Sequence, residues 1–135
     1  MSFGYKVLGF GSGGGAAPYQ ISYLVVGGGG SADANNSGGG GGGGMRTSTA
    51  DVSVGTSYTI TVGAGASANT ASGESNNSAL TGSDITAIES AAGGRGKGLL
   101  SQGENGGAGG GSGGNTQPGG EGNTPAVSPS QGADG

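Results

Sequence analysis

The residues of this sequence that could take part in chemistry are few, and most of them are carboxylates. Eight acidic residues stand against four basic ones in 135 residues, and the chain contains no histidine and no cysteine. These absences remove thiolate nucleophiles, disulfides, imidazole acid–base catalysis and most transition-metal sites. The chemistry that remains would be the gathering of carboxylate oxygens around Ca²⁺, or a carboxylate pair for glycoside hydrolysis.

The carboxylates that could serve such a site are Asp33, Asp51, Glu74, Asp84 and Glu89. They show neither the dense alternation of an EF-hand loop nor that of a calcium-binding nonapeptide repeat. A hydrolase would also need an aromatic-lined groove, and the chain has two Phe, four Tyr and no Trp. We therefore predict no metal site and no catalytic residues, and we interpret the acids as solvated groups that keep a neutral glycine surface soluble.

Three further classes of partner are also not expected. Residues 9–14 formally match the GxGxxG pattern of dinucleotide-binding loops, but Pro18 and a strand pattern follow instead of the required helix. The four basic residues are scattered along a chain of net charge −4, whereas nucleic-acid binding needs a clustered basic face. The longest apolar run has four residues, at 23–26. We therefore predict no cofactor, no nucleic acid and no membrane insertion.

Two segments show the alternation of apolar and polar residues that is typical of β-strands. Residues 19–26 (YQISYLVV) carry the stronger pattern, and residues 57–62 (SYTITV) carry the second. Residues 5–8 form a shorter apolar, β-prone piece. Residues 84–92 are compatible with either a helical turn or a strand.

Glycine supplies 39 of the 135 residues, about four times its usual share of roughly 7%. Flexible linker is one interpretation, because glycine loses the most backbone entropy on ordering. The other is the polyglycine II helix, which has three residues per turn and no internal hydrogen bonds, so that its amides and carbonyls pair with neighbouring helices. Only glycine permits that approach, since a Cβ would hold the neighbours apart. The run of seven glycines at 38–44 would suit such a helix.

Four elements between residues 21 and 98 resemble, in the same order, the glycine-rich domain family of bacteriophages. The elements are ISYLVVGGGG (21–30), VGTSYTITVGAG (54–65), GESNNSAL (73–80) and AAGGRG (91–96). Members of this family are found in tail fibres, tail-tip adhesins and other virion proteins. In adhesins that resemble it, polyglycine II helices pack into a sandwich, and variable loops contact the host. The family usually closes with a strand that this sequence lacks, which implies either a longer protein or completion by a neighbouring chain.

The resemblance favours ordered glycine and sets the expected fold. That fold is mostly irregular and β, with short β-strands, packed polyglycine II helices and little or no α-helix. We predict an N-terminal strand with a glycine-rich connector over residues 1–18 and a glycine-rich domain over residues 19–135.

The implied function is that of a structural component of a bacteriophage virion, in a tail fibre or on the capsid surface, and not of an enzyme. The expected partners are further copies of the chain, other virion proteins and a host cell-surface glycan or protein. One alternative is a capsid decoration or fibre protein that binds only other virion proteins. Another is an ice-binding polyglycine II protein.

Polar inserts between the glycine tracts are the predicted contact loops, because recognition concentrates in loops on a rigid scaffold. Their candidate residues are Ser31, Asp33, Asn35, Asn36, Asn76, Asn77, Asn115 and Gln117. The alternative is that these inserts are simple solvent-facing turns. A second set of residues is predicted to contact a neighbouring subunit, or else to cover a small core. This set comprises Phe3, Tyr5, Phe10 and Tyr19.

Overall fold

A computed structural model describes residues 18–34, 36–70, 76–114 and 117–135. Five strands lie in these ranges: β1 (Tyr19–Val26), β2 (Met45–Val52), β3 (Tyr58–Thr61), β4 (Ser78–Gly82) and β5 (Ile85–Ser90). Strands β1 and β2 form an antiparallel pair, and the other three form an antiparallel sheet in the order β3, β4, β5. The described residues contain no α-helix, so the predicted fold class is confirmed.

The strands follow the sequence patterns only in part. The prediction for residues 19–26 is confirmed over its full length as β1, and the pattern at 57–62 contains β3. The ambiguous segment 84–92 contains strand β5 and no helical turn. Strands β2 and β4 have no strong pattern of their own, and they become strands by pairing with β1 and β3. The predicted piece at 5–8 lies outside the described residues.

The two sheets face each other across a very small apolar core. Strand β2 packs over β5, and β1 packs over β4 and β5. Among the described residues, the buried apolar side chains are those of Leu80, Ile88, Ala91 and Ala92. So few side chains bury too little apolar surface to order a domain of this size. Another source of order is required.

That source is a bundle of glycine-rich segments that pack side by side. The segments are 27–34, 38–44, 63–70, 91–98, 103–112, 118–122 and 131–135. An antiparallel series of hydrogen bonds runs from the 38–44 segment to the 91–98 segment: Gly38 to Lys97 at 3.0 Å, Gly41 to Gly94 at 2.8 Å and Gly44 to Ala91 at 2.7 Å. The donors recur at every third residue, which is the period of the polyglycine II helix. The predicted pairing of bare backbone is therefore present.

The 91–98 segment lies at the centre of this bundle. Besides the bonds from 38–44, its amides donate to the 27–34 segment and to the 103–112 segment, again at three-residue spacing. A Cβ built on Gly94 would overlap the carbonyl oxygen of Glu104. By contrast, a Cβ on Gly39 or Gly42 would meet nothing within 4 Å. Glycine is therefore required on the inner faces of the segments, whereas every third position of 38–44 faces outward.

Candidate functional site

Four turns meet at the end of the bundle opposite the sheets, and we refer to this surface as the loop end. It comprises residues 31–37, 67–70, 97–102 and 112–118, of which 35, 115 and 116 are not described. Backbone hydrogen bonds join the turns to each other or to the residue just before the next turn: Asn69 to Ala32 at 3.1 Å, Asp33 to Gly96 at 2.9 Å and Lys97 to Gly111 at 3.0 Å. Segments that are far apart in the sequence are thus presented together on one surface.

A neutral ion-pair cluster lies beneath these turns. Arg95 Nε lies 2.7 Å from Asp33 Oδ1, and Lys97 Nζ lies 3.0 Å from Glu104 Oε1. Arg95 also donates from Nη1 to the carbonyl oxygen of Asn69 at 2.8 Å. All four charged side chains are partly buried, so their attraction is screened less than that of a fully exposed pair. With the bond to Asn69, the cluster ties four segments together, and it contributes no net charge to the surface.

Two leucines project from the 97–102 turn. Leu99 is 57% exposed and Leu100 is 79% exposed. Leu100 has a φ of 65°, a left-handed conformation that is uncommon for a residue other than glycine. The turn is closed by a hydrogen bond from the amide of Ser101 to the carbonyl of Gly98 at 3.2 Å. The pair therefore forms an apolar contact point held out from a polar surface.

The predicted contact residues do not include this leucine pair. The signal in the sequence is faint, because it consists only of two adjacent leucines in an otherwise polar, glycine-rich tail. Two features distinguish the pair: both side chains are exposed, and the turn holds them away from the bundle. Only the structure reveals these features.

Four of the predicted contact residues lie at the loop end. Ser31 is buried, and its hydroxyl donates to a carbonyl of the 63–70 segment at 2.7 Å. Asp33 belongs to the ion-pair cluster. Asn36 is exposed with a φ of 43°, and Gln117 is half-buried. Of these four side chains, Asn36 is the one that faces solvent, while Ser31 and Asp33 hold the turns in place.

Asn76 and Asn77 lie elsewhere, beside β4 at the sheet end. Asn76 donates from Nδ2 to the carbonyl oxygen of Ala64 at 2.8 Å. Asn77 accepts from the amide of Ala92 at 2.8 Å and donates to Glu89 Oε1 at 2.6 Å. These side chains satisfy backbone groups where strands pass into glycine segments.

The remaining predicted site residues are placed as follows. Asn35 and Asn115 of the contact set, and Phe3, Tyr5 and Phe10 of the interface set, lie outside the described residues. Tyr19 is the first residue of β1 and is exposed.

Asp84 and Tyr58 form a hydrogen-bonded pair near the turn between β2 and β3. The Tyr58 hydroxyl donates to Asp84 Oδ2 at 2.7 Å, and the amide of Ser53 donates to the same oxygen at 2.9 Å. The bond from Tyr58 holds the pKa of Asp84 below its ordinary value, because it stabilises the carboxylate. Desolvation, followed by that same bond, raises the pKa of Tyr58. The pair fastens this turn to the start of β5.

Two kinds of site are absent from the part of the chain that the structure describes. No three acidic, histidine or cysteine side chains there lie close enough together to hold a metal ion. No helix of sufficient length and apolarity to cross a bilayer occurs in the same ranges.

One comparison with known proteins found a match. The family model of the glycine-rich domain matches residues 13–135, a range that includes both sheets and the whole bundle. No curated protein and no solved structure matches the chain. Since the match covers far more than half of the sequence, the chain belongs to the glycine-rich domain family.

Proposed function

We propose that this chain is a structural component of a bacteriophage virion, of the tail-fibre or adhesin type, and that its loop end attaches the particle to a host surface. The observation that carries the proposal is the convergence of four turns at one end of a bundle held by backbone hydrogen bonds. Such a bundle is rigid without a side-chain core, so it can hold loops in fixed positions.

The surface of the loop end suits binding and offers little for catalysis. Leu99 and Leu100 supply an apolar anchor, and Asn36 and Asn69 supply exposed amide groups at the same loop end. The nearby charges cancel within the ion-pair cluster. A neutral surface with amides and a small apolar point fits a glycan or an uncharged protein patch better than a polyanion.

The assignment to a phage particle is supported by the resemblance of the four sequence elements at 21–30, 54–65, 73–80 and 91–96 to proteins of that kind. Membership of the glycine-rich domain family supports the coarser part of this resemblance, namely the glycine-rich domain itself. We further propose that copies of the chain and other virion proteins are its partners in the particle.

The location is tested by immunogold labelling of virions with an antibody against this chain. We expect label at the tail tip. Label over the shell would contradict this proposal and would identify the chain as a capsid decoration protein. Particles without label, together with thermal hysteresis of the purified protein, would instead identify an ice-binding protein.

The role of the loop end is tested by the double substitution Leu99→Ser/Leu100→Ser. We expect binding to host cells to weaken by roughly tenfold or more, because each exposed leucine that becomes buried in an interface contributes about 1 kcal/mol. The matched control is Val54→Ser, which also removes an exposed apolar side chain but lies in the turn between β2 and β3. Equal binding by both variants would exclude the leucine pair as the anchor.

A further inference from the structure

Three apolar side chains lie in one row across the three-stranded sheet. Ile60 on β3 is paired with Leu80 on β4, and Leu80 is paired with Ile88 on β5. Residues paired across antiparallel strands point to the same face. Leu80 and Ile88 are 9% and 8% exposed, whereas Ile60 is 74% exposed. The row is therefore covered over β4 and β5 and open over β3.

Ile60 is exposed because the sheet of two strands, β1 and β2, is too narrow to cover all three strands of the other sheet. Strands β1 and β2 cover β4 and β5, and neither of them packs over β3. Among the described residues, β1 pairs with β2 along one edge and has no strand along its other edge. The vacant position is thus beside β1 and above β3, where a sixth strand would complete a sandwich of three strands over three.

A groove of about 670 Å³ occupies this position. Residues 21–26 of β1 line one side of the groove. The other side is lined by residues 78–80 of β4 and by Tyr58, Ile60, Thr61 and Val62 along β3. Val62, two residues beyond Ile60, is also exposed and lines the groove. An unpaired strand edge beside uncovered apolar side chains is a site for strand addition.

We propose that residues 3–10 of this same chain fill the groove as an added strand antiparallel to β1. These residues lie outside the described ranges, and their sequence is FGYKVLGF. In a strand, Phe3, Tyr5 and Val7 would share one face. That apolar face would pack on the exposed side chains of Ile60 and Val62 along β3. The opposite face would carry Gly4, Lys6, Leu8 and Phe10. Lys6 is the charged residue of the segment, and a lysine on the solvent side is typical of an edge strand.

The position of residues 3–10 in the sequence, shortly before β1, favours this segment as the occupant of the groove. Residues 11–18 connect the segment to Tyr19, the first residue of β1, whose vacant edge borders the groove. Eight residues span up to about 26 Å when extended, which is ample for a reversal of direction. The other end of the described chain leads away, because Gln131 bonds to Met45 beside the sheets and Gly135 bonds to Gly120 within the bundle. The inference does not depend on a role in a virion.

The test uses the full chain with a single tryptophan as a probe of the groove. The sequence contains no Trp, so Ile60→Trp gives an emission signal from that position alone. We expect its emission to lie at shorter wavelength than that of the control Val54→Trp, whose site is exposed and outside the groove lining. Adding Tyr5→Ser and Val7→Ser to the Ile60→Trp variant should remove the difference, whereas adding Lys6→Ser should preserve it.

Two results would overturn the proposal. If the two tryptophan variants emit at the same long wavelength in the full chain, residues 3–10 do not cover β3. If the difference is lost on dilution, the added strand comes from a second copy and not from the same chain. A difference that survives dilution and depends on Tyr5 and Val7, but not on Lys6, supports the strand as proposed.

Discussion

The amide of Gly41 donates to the carbonyl oxygen of Gly94 at 2.8 Å, and this bond lies in the middle of the series that joins the 38–44 and 91–98 segments. A Cβ on Gly93 would overlap the carbonyl oxygen of Gly41, and a Cβ on Gly41 would overlap the carbonyl oxygen of Ala108 in the 103–112 segment. The segments can therefore approach this closely only because they lack side chains. The next residue, Gly42, faces open space. The bundle is thus a core made of backbone, in which hydrogen bonds and close contacts replace apolar side chains.

The first prediction concerns this difference between neighbouring glycines. Gly41→Ala should lower the free energy of unfolding by about 2 kcal/mol or more, because the new methyl group forces two segments apart. Gly42→Ala should leave the free energy of unfolding unchanged or raise it by about 0.4–1 kcal/mol, because alanine restricts the unfolded chain. Urea denaturation of the two variants measures both effects. Equal losses of unfolding free energy in the two variants would contradict the assignment of Gly41 as inward-facing and Gly42 as outward-facing.

The second prediction is a three-residue period in amide hydrogen exchange. The amides of Gly38, Gly41 and Gly44 donate to a neighbouring segment, so they should exchange slowly. Gly39 and Gly42 face outward and are exposed, so their amides should exchange faster by orders of magnitude. Residue-resolved exchange by NMR tests this, and uniform exchange through the seven glycines would show that they form no ordered helix.

The third prediction concerns Gln131, a buried polar side chain that joins the last segment to the sheets. Its Oε1 accepts from the amide of Ala91 at 2.9 Å, and its Nε2 donates to the carbonyl oxygen of Pro125 at 2.8 Å. Gln131→Ala should lower the free energy of unfolding by about 1–3 kcal/mol, because a buried amide loses its acceptor. Ser130→Ala is the control, since that side chain is exposed. Comparable losses in the two variants would contradict a special role for Gln131.

The fourth prediction concerns the pH dependence that arises from Asp84. Because its folded-state pKa lies below the ordinary value of 3.8, the group adds stability above that pH, and this contribution is lost as the pH falls through the lower, folded-state pKa. Tyr58→Phe removes the main hydrogen bond and should move the pKa of Asp84 upward. A carboxyl NMR titration measures it, with Tyr23→Phe on the other sheet as control. An unchanged pKa in Tyr58→Phe would show that another group stabilises the carboxylate.

The strands show which parts of the fold the sequence predicts. Strand β1 could be predicted because its alternation of apolar and polar residues is a local property. Strand β2 has few apolar residues and is defined by its partner, with Tyr19 opposite Val52 and Val26 opposite Met45. Segment 84–92 remained ambiguous for the same reason, since pairing of Leu80 with Ile88 decides in favour of a strand.

The loop end was predictable only in outline. Polar inserts between glycine tracts indicate turns, but they do not show at which end of the bundle each turn lies. Ser31 and Asn36 are at the loop end, whereas Asn76 and Asn77 are beside the sheets. The direction of each segment decides this, and glycine tracts of similar composition run in both directions.

The sequence by itself determined that this protein has no pattern for a long helix, too few apolar side chains for an ordinary core, and glycine in the amounts that packed backbone requires. The tertiary structure alone decided which glycines face inward, which turns meet, and that β1 and β2 cover Leu80 but not Ile60. The physical reason is that glycine has no side chain and therefore carries no local signal for a buried face. Only the positions of the neighbouring segments supply that information.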